Sequence, residues 1–300
     1  MTDTVGSALL RRHIGRRFQV LRLQADLTQE EAAIALQRGR ATIGRIEDGD
    51  DRVRFRDVDV RQMLELYGAT EADREVLLAL TAETRNGRRK SWWHDYTATA
   101  LPQWFGLYVS LEDSAEIIRQ YEPELVPGLL QTRAYADLVT RAVTGYLAEE
   151  EAQRRVHVRM ERQSLLTRRP HAPHLSVVLN EAVLHRRVGD GSLMTEQLQH
   201  LVQATQHGNV SVRIVPWSAG VHAGLGAGGG FSLLDFPEDP GSGQPLEPPL
   251  AYVDSLTGAM YLTKPDEVRV YQLAWDDLDR RSLDTSASQA LIHSVIKEHS

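Results

Sequence analysis

Three hundred residues exceed what one hydrophobic core usually serves, so the length points to two domains. Hydrophobic residues at 42% and charged residues at 25% match ordinary globular usage and exclude a chain disordered throughout. No apolar run approaches the roughly 20 residues that cross a bilayer, the N-terminal stretch lacks the apolar core of an export signal, and the absence of cysteine excludes disulfides, thiolate nucleophiles and cysteine zinc sites. The expectation is a cytoplasmic protein with no membrane partner, in which Asn209-Val210-Ser211 is an idle sequon. The net charge of −7 is unevenly spread: residues 1 to 56 hold 11 arginines against 8 carboxylates, net +3, so the acidic excess lies in the remainder. An acidic body with a mildly basic head suits contact with phosphate at one end.

Taken in chain order, Leu10, Ile14, Phe18 and Leu21 recur about every four residues, the stripe of a first helix ending near Ala25-Asp26. Thr28-Gln29-Glu30-Glu31 has the spacing of a capping box and opens a second helix to about Leu36. Gly39 serves as N-cap of a short third helix, Arg40 to Glu47, with Ile43 and Ile46 inward and Asp48-Gly49 at its end. Val60, Met63, Leu64 and Tyr67 form a fourth stripe closed by Gly68, and Thr70 with Asp73 opens a fifth helix through Leu80. Residues 1–84 therefore read as an all-α five-helix module.

Asn86 to Lys90 is polar and turn-prone, which places a linker over 85–104 and a second domain over 105–300. That domain begins with aromatic residues and helices expected around 110–122, 131–143 and 148–168. From His174 the texture changes to short β-branched runs at 174–179, 210–215, 230–236, 250–254 and 259–262, with helices at about 192–207, 266–277 and 286–298. The expected fold is multidomain: a helical head, then a larger mixed α+β or α/β domain with a helical layer at its start. Pro127-Gly128 reads as a turn between helices, and the glycine-rich stretch from Gly224 as a hairpin-like connection.

The segment Leu27 to Gly49 carries the functional reading. A capped helix, a tight turn and a short second helix make the helix-turn-helix geometry, whose second helix enters the DNA major groove. Small or apolar residues are needed where the helices touch, and Ala32, Ala33, Leu36, Ile43 and Ile46 supply them. Long polar side chains are needed outside. Arg40 and Arg45 qualify, because a guanidinium bonds guanine O6 and N7 together. Thr42 and Gln29, near helix N-termini, suit phosphate. The plain alternative is an αα-hairpin whose arginines line a solvated face.

Leu27-Thr28-Gln29-Glu30-Glu31-Ala32-Ala33 followed by Thr42-Ile43-Gly44-Arg45-Ile46-Glu47-Asp48-Gly49 resembles the Xre/Cro/C1-type helix-turn-helix family. By position, the resemblance implies that Arg40, Ala41, Gly44 and Arg45 face base edges while Gln29 and Thr42 approach phosphate. The chain departs from that family at Gln37, where glycine is frequent, and at Gly39, where serine is. Leu111-Glu112, Ala115, Ile118, Tyr121, Leu125 to Thr132, Tyr135-Ala136, Asn180 to Leu184, Val215-Pro216 and Phe231 to Phe236 resemble the uncharacterised domain that follows an Xre-type head in many actinobacterial regulators. The resemblance implies a transcriptional regulator, often encoded beside a small acidic protein that counters it, and implies no ligand, cofactor or reaction. A homodimer is expected, since one short helix reads only a few base pairs.

Trp92, Trp93, Trp104 and Tyr108 form either an aromatic wall for a small effector or the packing of the linker, and His222 neighbours the glycine-rich loop as a further candidate lining residue. Gly224 to Gly229 satisfies G-x-G-x-x-G, but a strand follows it instead of a helix, so no helix N-terminus faces a phosphate. The eleven histidines show no H-E-x-x-H, His171 and His174 lie in a proline-flanked turn, and Glu181 with His185 has no nucleophile beside it. No enzyme, metal or cofactor is expected. The alternatives carried are a protein-interaction module serving a small partner and, more remotely, an enzyme with a helical appendage.

Overall fold

The computed structural model describes residues 3–50, 52–85, 103–143, 148–168, 172–238, 245, 247–255 and 258–299. The described residues form two compact units, one of the residues up to 85 together with 103–111 and the other of those from 112 onward.

The first unit is helical: α1 Asp3–Gln24, α2 Gln29–Ala35, α3 Arg40–Glu47, α4 Asp57–Leu66, α5 Glu71–Arg85, and α6 Gln103–Ser114 as far as Leu111. The helix α1 begins seven residues ahead of its apolar stripe, and α5 runs five residues beyond Leu80. Leu9, Ile14, Phe18, Ile43, Leu64, Leu77 and Leu111 are fully buried and form the core. Ion pairing between Arg17 and Asp73 ties α1 to α5. The buried ring of His13 on α1 shares a 2.5 Å hydrogen bond with the Ser110 hydroxyl on α6. Glycine is required where α3 ends: a Cβ on Gly15 would lie 2.4 Å from the carbonyl oxygens of Ile46 and Glu47. Gly49 has φ +67°, and its own Cβ would meet Arg12 N at 2.5 Å. Two glycines thus let the C-terminus of α3 press directly on α1.

The second unit is a mixed α/β domain. Its elements after α6 are β1 Ile117–Glu122, a 3-10 turn Gly128–Leu130, α7 Arg133–Val143, α8 Glu149–Arg162, a 3-10 turn Gln163–Leu166, β2 His174–Asn180, α9 Ala182–His185 and α10 Gly191–Ala204. There follow β3 Val210–Val215, 3-10 turns Trp217–Ala219 and Ala223–Ala227, β4 Phe231–Asp235, β5 Leu250–Ser255, β6 Gly258–Leu262, α11 Pro265–Arg281 and α12 Thr285–His299. The strands form one six-stranded sheet in the order β3-β2-β1-β4-β5-β6. The strands β1, β2 and β3 run parallel, and the pairs β1–β4, β4–β5 and β5–β6 are antiparallel.

Three local expectations are corrected here. Residues 117–122 are a central strand and not the end of a helix. Ile117, Ile118 and Tyr121 fit a helical spacing as well as a strand, and what decides is pairing with His174–Leu179 and Phe231–Asp235, far along the chain. Pro127-Gly128 joins a strand to a helix, because β1 precedes it. The glycine-rich stretch is no hairpin: β3 and β4 are separated in the sheet by β2 and β1, so the connection must cross the sheet end and folds as 3-10 turns.

One sheet face carries Tyr121, Val178, Val215, Phe231, Leu233, Ala251 and Val253, buried against Val268, Trp275 and Leu278 of α11. The opposite face carries the alternate residues Ile118, Leu175, Val177, Leu179, Val212, Ile214 and Leu234, also buried. Glu112, in the last turn of α6, is buried and accepts hydrogen bonds of 3.0 and 2.8 Å from Arg162 on α8.

Candidate nucleic-acid interface

Residues 27 to 49 fold from local chemistry outward. The Glu31 N–H donates to Thr28 Oγ1 at 3.2 Å and the Thr28 N–H donates to Glu31 Oε2 at 2.8 Å, so the capping box read from the sequence is complete. Between α2 and α3, Gln37 takes φ +53°, a left-handed conformation that glycine adopts without strain and other residues do not. This single inverted residue turns the chain, and the Arg38 N–H then donates to Ala33 O at 2.8 Å. Gly39 caps α3 with extended backbone and no side-chain bond.

The inner side of α3 buries Ile43, Ile46 and Glu47. The Glu47 carboxylate accepts from Arg22 Nε at 2.6 Å and from a terminal Arg22 nitrogen at 2.9 Å, while the other terminal nitrogen donates to Leu27 O at 2.6 Å. Arg22 and Glu47 are 5% and 2% exposed, so the pair is a desolvated, two-pronged contact of the strong kind. The hydrogen bond to Glu47 holds the Arg22 guanidinium above its ordinary pKa. Sequence reading missed this network. Its one local signal is that Glu47 stands four residues after Ile43 and so shares the buried stripe.

The outer side is open. Arg40, Ala41 and Arg45 are exposed, and Thr42 and Gly44 are half-buried. Among the described residues Arg40 makes no hydrogen bond or ion pair. Arg45 lies back along its own helix, donating to Ala41 O at 3.1 Å and to Thr42 Oγ1 at 3.5 Å, with no carboxylate engaged. Nearby arginines differ: Arg38 pairs with Asp59 at 2.6 Å and Arg61 with Asp57 at 2.9 Å. Gln29 lies over Gly44, its amide about 3.9 Å from where a Cβ would stand, and its nitrogen donates to Glu47 Oε2 at 2.8 Å. The amide nitrogen therefore fastens α2 to α3.

The residues read as an effector pocket are placed as follows. Trp92 and Trp93 lie outside the described residues, as does the side chain of Trp104 at the start of α6. Tyr108 is buried in the first unit and stacks on Phe105 with 5.6 Å between ring centroids. In the second unit His222 is buried edge-on to Tyr121 at 5.9 Å, and burial lowers its pKa. Glu181 stands 3.7 Å from His185, whose ring stacks on Trp217 at 4.9 Å. Burial, reinforced by Asp254, pushes the Glu122 carboxyl up to about 8, and Glu122 reaches the space beside Gly230 that a Cβ there would fill. Among the described residues no three histidine or acidic side chains gather as a metal site, and no helix is long and apolar enough to cross a membrane.

A capped helix, a left-handed turn and a short second helix with an inner apolar and an outer polar side define a helix-turn-helix protein, and residues 13–77 match the family model described as a helix-turn-helix domain. Residues 105–294, nearly two thirds of the chain, match the model described as Domain of unknown function (DUF5753), and the chain belongs to that family. No curated protein and no solved structure matches the chain.

Proposed function

We propose that this chain is a sequence-specific transcriptional regulator of the Xre type, of actinobacterial kind, that acts in the cytoplasm as a homodimer on double-stranded DNA. The observation that carries this reading is the two-sidedness of α3. Ile43, Ile46 and Glu47 are held inside, while Arg40, Ala41, Gly44 and Arg45 share the side open to a groove. Arg40 and Arg45 bond guanine edges, and Ala41 and Gly44 let the helix approach the bases closely. Thr42 and Gln29 are read as the phosphate contacts, the Gln29 amide nitrogen having a second N–H besides the one it gives to Glu47. A dimer places two such helices in half-sites one helical turn apart.

The DUF5753 domain is read as the part that responds to a signal, a small molecule or an acidic partner protein, and not as an enzyme. Cofactors have no part in this reading. The test is a mobility shift with the chain's own upstream duplex, repeated from about 50 to 200 mM salt. Phosphate neutralisation predicts a steep linear fall of log affinity with log salt. Binding that is absent, or flat with salt, overturns the reading, and capture of a partner protein by the same preparation then favours an interaction module.

A further inference from the structure

The sheet face turned away from α11 is apolar over β2 and β3 but not over β1, β4 and β5. The register lays Gln120, Ser232 and Tyr252 side by side across those three strands. Two residues further on, Glu122 and Asp254 follow on the same face in the same direction, since β1 and β5 both run against β4. Such a face is ordinarily filled by aliphatic side chains, and polar groups taken from water cost stability unless they find partners. The patch also lies at the carboxyl end of β1. There the strand order β3-β2-β1-β4-β5-β6 reverses its direction of growth, between β1 and β4. Open α/β sheets hold ligands at such a reversal.

Helix α8 supplies a facing wall. Its Arg155, Arg159 and Arg162 share one stripe. Arg155 stands 3.4 Å from Glu151 and Arg162 bonds Glu112, whereas Arg159 donates to the neutral Gln131 Oε1 at 2.8 Å and to no carboxylate. Burial, then the charges of Arg162 and Arg155, lower Arg159 to about 10, and Asp254 works against them. The surrounding protein in turn raises the Asp254 carboxyl, with its own backbone N–H and Arg159 opposing. Arg159 and Asp254 thus feel each other's charge, yet among the described residues no hydrogen bond or ion pair closes between them. Glu122 accepts from the Gln120 amide at 2.8 Å and from no cation. Glu122 and Arg159 are half-buried and Asp254 is exposed, so the recess between sheet and helix opens to water. Two carboxyls there lack a cation, and one guanidinium lacks an anion.

We propose that this recess binds a small zwitterion of the α-amino acid kind, its carboxylate on the Arg159 guanidinium and its ammonium between Glu122 and Asp254. A simple anion would leave the two acids unanswered, and a simple amine would leave Arg159 so. One molecule with both charges a few bonds apart answers all three through charge-assisted hydrogen bonds. The inference rests on the reading of this domain as the part that responds to a small molecule, and it names the class and the place.

The probes are the standard amino acids at millimolar concentration, screened by thermal shift of the full-length chain, with isothermal titration calorimetry of each hit. At least one is predicted to bind. The amine lacking its carboxylate and the acid lacking its amino group are predicted to bind about 10- to 150-fold more weakly, the worth of one hydrogen bond to a charged group. Arg159→Gln and Asp254→Asn are each predicted to lose affinity by a similar factor while circular dichroism shows the parent fold. No binding by any of the set overturns the inference. So does a hit whose amine or acid binds as tightly, because one of the two charges is then idle. A hit whose affinity survives both substitutions overturns the placement in this recess. Asp254 is exposed, so Asp254→Asn decides the placement if Arg159→Gln misfolds. All of this is read without DNA. Failure here strikes the amino acid ligand and leaves DNA binding by α3 to the salt titration, and a hit with DNA binding absent keeps the recess and overturns the regulator.

Discussion

The guanidinium of Arg22 and the carboxylate of Glu47 meet through two hydrogen bonds of 2.6 and 2.9 Å, joining the end of α1 to the end of α3 with almost no exposure to water. Removing one partner strands the other as a buried, uncompensated charge. Glu47→Ala or Arg22→Ala is expected to cost about 3–5 kcal/mol of the first unit's stability. Urea unfolding followed by circular dichroism measures it. A loss near zero would show that α3 is held by its apolar side alone.

Backbone contact sets the same helix end from a second direction. Gly15→Ala forces a methyl group onto the Ile46 and Glu47 carbonyls, where no flexible side chain can move aside. The expected outcome is a loss of more than about 2 kcal/mol, within the range of overpacked sites and against the usual benefit of alanine in a helix. Thermal melts of the full chain read it as a lowered first transition.

At the turn the chain carries strain that can be removed. Gln37 at φ +53° holds a left-handed conformation costing about 1 kcal/mol for a side-chain residue, so Gln37→Gly should recover a similar amount despite its greater unfolded-state freedom. Gly39→Ser should add a few tenths of a kcal/mol by supplying the missing cap, since a Cβ there meets only Thr42 Oγ1 at 3.8 Å. Both variants are expected to melt higher with affinity for DNA unchanged. A lower melting temperature for Gln37→Gly contradicts the strain argument.

His13 makes stability depend on pH. Burial first, and the neighbouring Arg17 charge second, lower its pKa from 6.5 to about 3, so the ring is neutral in the fold and shares its bond with Ser110. The unfolded chain takes up a proton below pH 6.5 that the fold refuses. This contribution is therefore full above about pH 6.5 and is lost as pH falls toward 3, at about 1.4 kcal/mol per pH unit. Subtracting the stability-pH curve of His13→Gln from that of the parent chain isolates it. A difference flat between pH 7 and 4 contradicts a buried neutral ring.

Legibility in the sequence followed distance along the chain. Thr28 and Glu31 stand three residues apart, and the capping box was readable in full. So was the inward side of α3 from Ile43 and Ile46, and so were five strands bounded by Gly, Pro or Asp. The strand β1 was not, because Ile117, Ile118 and Tyr121 are ambiguous until β2 and β4 arrive beside them. Arg22 with Glu47 and His13 with Ser110 lie 25 and 97 residues apart, and each residue alone looks like ordinary surface polarity in a string of letters. Gln37 shows the intermediate case: its place in the turn was visible, but its inverted φ is imposed by the helices on either side.

The most direct measurement is an anisotropy titration of the parent chain, Arg40→Ala, Arg45→Ala and the double variant against the upstream duplex and a scrambled duplex at one salt concentration. Each arginine bonding a base edge is predicted to account for about 5- to 150-fold of preference for the upstream sequence, while affinity for the scrambled duplex changes much less. Equal affinity of the double variant and the parent chain for the upstream duplex would contradict α3 as the reading helix.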